Sequence, residues 1–390
     1  MTTLQEALRT NLRQYGIMAA LVLVIVVFNV LTNGLLLRPD NVAALIGQNA
    51  YVLILAIGMV MVIVAGHIDL SVGSLVAFIG GVLGWSMYHW NWPWQAAILL
   101  ALVMGALVGA WQGFWVAYVR IPAFIVTLAG MLVFRGLAIV IAGFTMAGFD
   151  QGFVNIAAGS LPGILGSAAS LDLLTVVIGL IGVAGLIWSQ LRARASQVKH
   201  GIAPEPVGLL IAKLVVISIA VLGLTGLLAL SANGTPIVLV IVGVLIFVYS
   251  FVLNRTVFGR HVYAIGGNLN AAILSGINTA KTNFMIFVHM GLLAAVAAIV
   301  VTSRANAAIG AAGQSYELDA IAACFIGGTA VTGGIGRISG AMVGALIMGV
   351  LNMGLSITGV GSAWQQVVKG LVLLAAVAFD LLSKRRTKVN

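Results

Sequence analysis

The chain has 390 residues, of which 62% are hydrophobic and only 7% charged, with a mean hydropathy of +1.16. So few charges cannot cover the surface of a water-soluble domain, which excludes a soluble enzyme or binding module. The net charge of +10 is spread over loops and tails rather than gathered on one soluble face, which argues against nucleic acid as a partner.

Backbone groups in lipid must be satisfied within the segment or in a closed barrel. Long unbroken apolar runs, unlike alternating strands, select helices, so the expected fold class is all-α, a polytopic transmembrane helical bundle forming one domain over 1–390. Twelve runs of about span length follow one another: 17–37, 42–65, 70–90, 94–118, 122–144, 171–190, 207–230, 236–253, 283–303, 317–331, 338–357 and 364–382. The first lacks an obvious small-x-small cleavage site and reads as a retained anchor.

Basic residues orient these spans. With the N-terminus cytoplasmic, fifteen of the nineteen Lys and Arg fall inside: Arg9, Arg13, Arg120, Arg192, Arg194, Lys199, Lys213, Arg255, Arg260, Lys281, Arg337, Lys384, Arg385, Arg386 and Lys388. Arg38 and Arg304 fall outside, and Arg135 and Lys369 lie within spans. Trp85, Tyr88, Trp90, Trp92 and Trp94 crowd the turn after the third span, as an interfacial belt does. The glycine-rich stretch 145–170 carries no Lys or Arg and reads as an external loop, whereas 192–206 is basic, proline-broken and internal.

Glycines at 105, 109 and 113, and again at 336, 340 and 344, recur every fourth residue and predict close helix packing. The fourth and eleventh spans that carry them run in opposite predicted directions. So do the third, which opens at Asp69, and the tenth, which opens at Glu317 and Asp319. Carboxylates there can cap free N–H groups and face the positive helix end. The correspondence points to an inverted repeat, spans 2–5 against spans 9–12, of the kind that builds alternating-access pathways.

The chain has no phosphate-binding loop, no H-E-x-x-H pair and no C-x-x-C; its single Cys324 and scattered histidines offer no catalytic or metal-ligating pattern. ATP and magnesium, if used, belong on a separate subunit. The internal segment 254–282 is the expected contact. Asn268 or Asn270 can N-cap a short helix that Gly276 stops, and Gly266 and Gly267 let the backbone turn into it. Its apolar residues, Ala271, Ala272, Ile273, Leu274 and Ile277, are too few to enter a bilayer and need either a partner or the base of the bundle as cover.

Four motifs carry a resemblance. GRHVYAIGGNLNAAILSGI at 259–277 resembles the cytoplasmic coupling segment of the permease subunits of bacterial monosaccharide ATP-binding-cassette importers, the ribose, xylose, arabinose and galactose group. IDLSVGSLVAF at 68–78, PAFIVTLAGMLVFRG at 122–136 and YELDAIAACFIGGTAVTGGIGRISGAMVGAL at 316–346 are similar to the same family, in order. The resemblance implies a ten-span core like that of vitamin B12 importers, a homodimer in the bacterial inner membrane, a two-cassette ATPase docked on the coupling segment, and a periplasmic sugar-binding protein. The coupling residues it implies are Gly259, Arg260, Ala264, Gly266, Gly267, Asn268, Ala271, Ala272, Ser275 and Gly276. Spans 6 and 7, over 171–230, are extra relative to short members and resemble the longer xylose and multiple-sugar permeases; they read as a peripheral hairpin.

Charged residues inside spans are costly and each needs an account. Arg135 could donate to sugar hydroxyls, or pair with a carboxylate or helix-end carbonyls. Lys369 can snorkel. Asp69 reads as a helix cap or a proton carrier, and His289 as satisfied by a neighbour. Gln48, Asn49 and Asn352 are polar enough to meet a hydroxylated solute, and Phe124 and Thr127 could narrow and line its pathway. The rival reading is a proton-coupled secondary sugar transporter using Asp69 or Glu317.

Overall fold

Prolines set the start of several helices, because a ring-fixed φ is already helical and the missing N–H would have no partner there. Pro93, Pro122, Pro206 and Pro236 immediately precede α4 (Trp94–Ala117), α5 (Ala123–Ile141), α8 (Val207–Ala229) and α9 (Ile237–Arg255). Pro39 opens α2 (Pro39–Val64). The computed structural model of the chain describes residues 2–388 apart from 144, 169, 202, 203 and 205, with side chains described over 16–378. The side chains of Arg9, Arg13, Lys384, Arg385, Arg386 and Lys388 thus lie outside the described residues.

The remaining long helices are α1 (Thr2–Leu31), α3 (Val72–Tyr88), α7 (Leu173–Lys199), α12 (Thr279–Ala305), α14 (Ile338–Ile357) and α15 (Ser362–Lys388). Shorter ones are α6 (Gln151–Ala158), α10 (Val257–Gly267), α11 (Leu269–Leu274) and α13 (Tyr316–Ile326). Among the described residues, α2, α4, α5, α7, α8, α9, α12 and α14 are long and apolar enough to cross a membrane; α3, Gly16–Leu31 and Ser362–Ala378 are apolar but shorter. The chain is a polytopic helical membrane protein, and each of the twelve expected segments coincides with a helix.

The tenth segment is shorter than expected. Instead of running to 331, α13 stops at Ile326 after 11 residues. At 1.5 Å per residue it reaches about halfway across a hydrocarbon core of about 30 Å. Gly328, Gly333 and Gly334 then adopt positive φ of 88°, 79° and 74°, conformations that only glycine takes freely. Irregular backbone at membrane depth persists where protein covers it, and here α14 does so. A β-carbon on Gly340 would strike the Gly327 carbonyl, and one on Gly344 the Ala323 carbonyl. Gly336 lies before α14, against Val64, so the 336/340/344 triplet is not one helix face as the spacing predicted.

The other glycine row does form one face. A β-carbon on Gly105 would meet the Gly291 carbonyl and, at 2.7 Å, Ala295; on Gly109 it would meet the Phe287 carbonyl and, at 2.9 Å, Val288 Cα. Gly113 faces the Phe284 backbone. Backbone-to-backbone contact of α4 with α12 follows, the association available when lipid supplies no hydrophobic drive.

Around these contacts the two halves pack alike. α12 lies on α4 and α3 as α2 lies on α14 and α13; α3 lies on α4 and α5 as α13 lies on α14 and α15; α2 and α12 meet at the centre. Of the most apolar stretch of α2, 89% is buried, against 6% for α8. α7 packs on α8, with Gly179 under Thr225, and the pair reaches the rest of the bundle mainly through α8 and α2.

The stretch 145–170 is not the plain loop expected. β1 (Met146–Ala147) pairs antiparallel with β4 (Ala307–Ala308), and β2 (Ser167–Ala168) with β3 (Leu171–Asp172). Between them Asp150 accepts from the Gly152 amide at 2.7 Å and starts α6. Phe153 of α6 is fully buried, and Ser303 Oγ of α12 donates to its carbonyl at 2.8 Å while accepting the Ala157 amide at 3.0 Å.

Candidate functional site

The segment 254–282 folds into two short helices ahead of α12 rather than one. Thr256 accepts from the Gly259 amide at 3.2 Å to start α10, and Gly259 fits there because a β-carbon would strike the Leu253 backbone. Tyr263 donates to the Gly336 carbonyl at 2.7 Å; burial raises its phenol above the usual value, partly offset by Arg337. Gly266 lies against the Val64 carbonyl at the end of α2 and 2.7 Å, measured from a built β-carbon, from the Gly334 amide, whereas Gly267 faces open space. Gly334 N in turn donates to Val64 O at 2.8 Å. Asn268, not Asn270, caps α11 by accepting from the Ala271 amide at 3.0 Å, and Gly276 at φ 77° ends it.

The pair α10–α11 is therefore fastened to the end of α2 and to the turn before α14. Of the other expected coupling residues, Ala272 is buried, Ala264 is partly buried, and Arg260, Ala271 and Ser275 are exposed. Leu269 and Ile273 are half exposed and Leu274 is 88% exposed, so α11 presents an uncovered apolar face on a helix too short to span.

Two further polar sets lie where the short helices begin. In the first, Asp69 is buried and its Oδ1 accepts from Ser71 N at 2.8 Å and Ser71 Oγ at 2.6 Å. Ser71 Oγ also accepts from Gln112 of α4 at 2.7 Å, and buried Thr127 of α5 donates to the Ile68 carbonyl at 3.3 Å. Phe124, one turn earlier on α5, is exposed. Arg135 reaches the segment ahead of α13 and donates to the carbonyls of Ala312 at 2.5 Å, Gly313 at 3.2 Å and Gly310 at 3.4 Å. Glu317 sits against Gly73, where a β-carbon would strike its Oε2, so the starts of α3 and α13 meet.

The second set joins α2, α13, α14 and α15. Asp319 Oδ2 accepts from Tyr51 OH at 2.7 Å and from Lys369 Nζ at 3.1 Å; the side chains of Asp319 and Lys369 are 2% and 21% exposed. Tyr51 stacks on Tyr316, with centroids 3.6 Å apart and planes 18° from parallel. One turn along, Asn352 donates to Asn49 Oδ1 at 3.0 Å. Gln48 is exposed on the same stretch of α2 and lines, with Tyr51, Tyr316 and Arg304, a cavity of about 240 Å³. His289 lies apart, its Nδ1 3.2 Å from Tyr249 OH.

Of the six residues expected in a pathway, Asn49 and Asn352 come together, Gln48 lines the cavity beside Tyr51, Thr127 and Arg135 belong to the set around α3, and Phe124 stands alone. Sequence reasoning missed Tyr51, Arg304 and Tyr316. Tyr51 lies one helical turn from Gln48, which was a usable signal; the approach of Arg304 depends on tertiary packing.

The fold is thus a bundle of membrane helices joined by buried polar groups, with the short pair α10–α11 fastened to the end of α2. Residues 41–377 match the family described as the permease component of the branched-chain amino acid transport system, and the chain belongs to that family. It is 40% identical over 378 residues to the xylose transport system permease protein XylH of Escherichia coli K12, covering 97% of this chain and 94% of that protein. The XylH of Haemophilus influenzae is 38% identical, covering 96% of this chain and 98% of that protein. The ribose import permease protein RbsC of E. coli K12 is 34% identical, covering 95% and 94%. No solved structure matches the chain.

Proposed function

We propose that this chain is the membrane-spanning permease subunit of an ATP-binding-cassette importer that carries D-xylose or a related monosaccharide across the bacterial inner membrane. The observation that carries this reading is 40% identity to a xylose permease over 97% of the chain. Two copies form the pathway, a periplasmic binding protein delivers the sugar, and both termini lie in the cytoplasm, an orientation supported by the distribution of basic residues.

ATP and magnesium are held by a separate two-cassette subunit. Its seat is the face of α10–α11 that carries Leu269, Ile273 and Leu274. Cassette closure on ATP moves α10, and Gly266 passes the displacement to the end of α2 and the turn before α14. Thus the hydrolytic subunit works on the helices through backbone contacts that no side chain can cushion.

Delivering one sugar at a time on the binding protein to the assembled complex in lipid tests the assignment. Xylose raises ATP hydrolysis more than ribose does. A complex stimulated by no monosaccharide overturns it.

A further inference from the structure

The cavity beside Tyr51 holds two polar groups that nothing in the fold uses. Among the described residues, the Arg304 guanidinium has neither a hydrogen-bond acceptor nor a carboxylate at ion-pair distance, and the Gln48 carboxamide has no partner. Arg304 is partly buried rather than splayed on the surface, and it reaches its place over α2 because residue 47 is glycine: a β-carbon there would lie 2.5 Å from Nη1. Arg304 stands in the last turn of α12, at the rim of the expected span, with no carboxylate at ion-pair distance among the described residues. Orientation does not require it either, since Arg304 is one of two cations that the loop-charge pattern leaves outside.

We propose that this cavity is a subsite for a neutral polyhydroxylated solute, with Arg304 and Gln48 donating to adjacent hydroxyl oxygens and the Tyr316–Tyr51 stack bordering the ring. The proposal rests on the sugar-importer reading and names the residues that meet the solute within one copy. A guanidinium fork offers parallel donors to neighbouring oxygens, and a carboxamide supplies both a donor and an acceptor. The volume of about 240 Å³ falls just below that of sites for drug-sized ligands, about 300–1,000 Å³, and fits a single small ring. Tyr51 OH is committed to Asp319, whose charge Lys369 offsets, so that wall adds no net charge and the choice of a neutral solute follows from the sugar-importer reading.

The test is ATP-driven sugar uptake by the full complex in vesicles, with sugar moved per ATP hydrolysed as the readout, for Arg304→Met, Arg304→Lys, Gln48→Leu and Gly47→Ala. Losing one charge-assisted hydrogen bond lowers the sugar moved per ATP by about 10- to 100-fold in Arg304→Met. Gln48→Leu loses less, Arg304→Lys recovers part, and Gly47→Ala, which displaces the guanidinium, resembles Arg304→Met. Throughout, the concentration of binding protein giving half-maximal ATPase stimulation stays within about two-fold of wild type, because docking is unaffected. Wild-type ratios in Arg304→Met and Gln48→Leu overturn the subsite. A rise in the binding-protein requirement, with normal uptake restored at saturation, makes Arg304 a docking residue and also overturns it. Failure of the wild-type complex to move any sugar with ATP strikes instead at the importer reading.

Discussion

Lys369 of α15 and Asp319 of α13 form an ion pair of 3.1 Å inside the bundle, on the same oxygen that takes the Tyr51 hydroxyl. α15 packs mainly on α13, with a lesser contact to α14, so this pair fixes a helix that has few other neighbours. Removing one partner of a buried pair leaves the other charge uncompensated. Lys369→Met therefore lowers stability by about 2–4 kcal/mol, while Lys369→Met with Asp319→Asn loses less than the sum of the single variants. Thermal unfolding of the purified chain in detergent measures this; additive losses contradict it.

Arg135 is expected to act on the backbone ahead of α13. Its donors span three carbonyls between Gly310 and Gly313. Arg135→Met strands those acceptors at about 1–3 kcal/mol, and Arg135→Lys recovers little because an ammonium lacks the fork. Faster amide exchange over 306–315 than in wild type is the expected signature.

Helix packing gives a contrast between glycines. Gly109→Val forces α4 away from the Phe287–Val288 backbone and destabilises by at least about 1–3 kcal/mol, the range for overpacking. Gly243→Ala, which meets nothing within 4 Å, is neutral within about 0.5 kcal/mol. Detergent-resistant folding of both variants, scored by size exclusion, checks the difference.

At α10–α11, the proposed coupling helices, the same logic separates neighbours. Gly266→Ala collides with the Val64 carbonyl, whereas Gly267→Ala finds open space. The first variant hydrolyses ATP without moving sugar and the second behaves as wild type. Equal behaviour of the two removes Gly266 from the transmission route.

Leu274 supplies a surface test. It is 88% exposed, so Leu274→Asp leaves folding unchanged, but it places a charge in the proposed ATPase seat. Association with the cassette subunit, measured by co-purification, falls at least about ten-fold.

Much of the fold is legible in the sequence, because hydropathy sets the helices and proline and glycine set their ends. Asn268 and Gly276 were readable as cap and stop for the same local reasons. The early end of α13 was overlooked although its signal is local: Gly328 takes the left-handed cap position, Thr329 N donates to the Cys324 carbonyl at 2.9 Å, and the packing of Gly327 under Gly340 holds the turn. α6 was hidden because eight residues carry too short a pattern to stand out in a glycine-rich stretch. Polar contacts were the least legible. Gln48, Asn49 and Asn352 could be chosen for their chemistry, yet Tyr51 with Asp319 joins positions 268 residues apart, and no local pattern encodes such a pairing.

The central claim, an importer powered through its coupling helices, is tested most directly by sugar accumulation in vesicles under two energy sources. With the cassette subunit, the binding protein and ATP present, the account predicts xylose uptake that stops when ATP is withheld. In vesicles holding this chain alone under a pH gradient it predicts none. Accumulation by the chain alone, driven by protons, would contradict the account and restore the secondary-transporter reading.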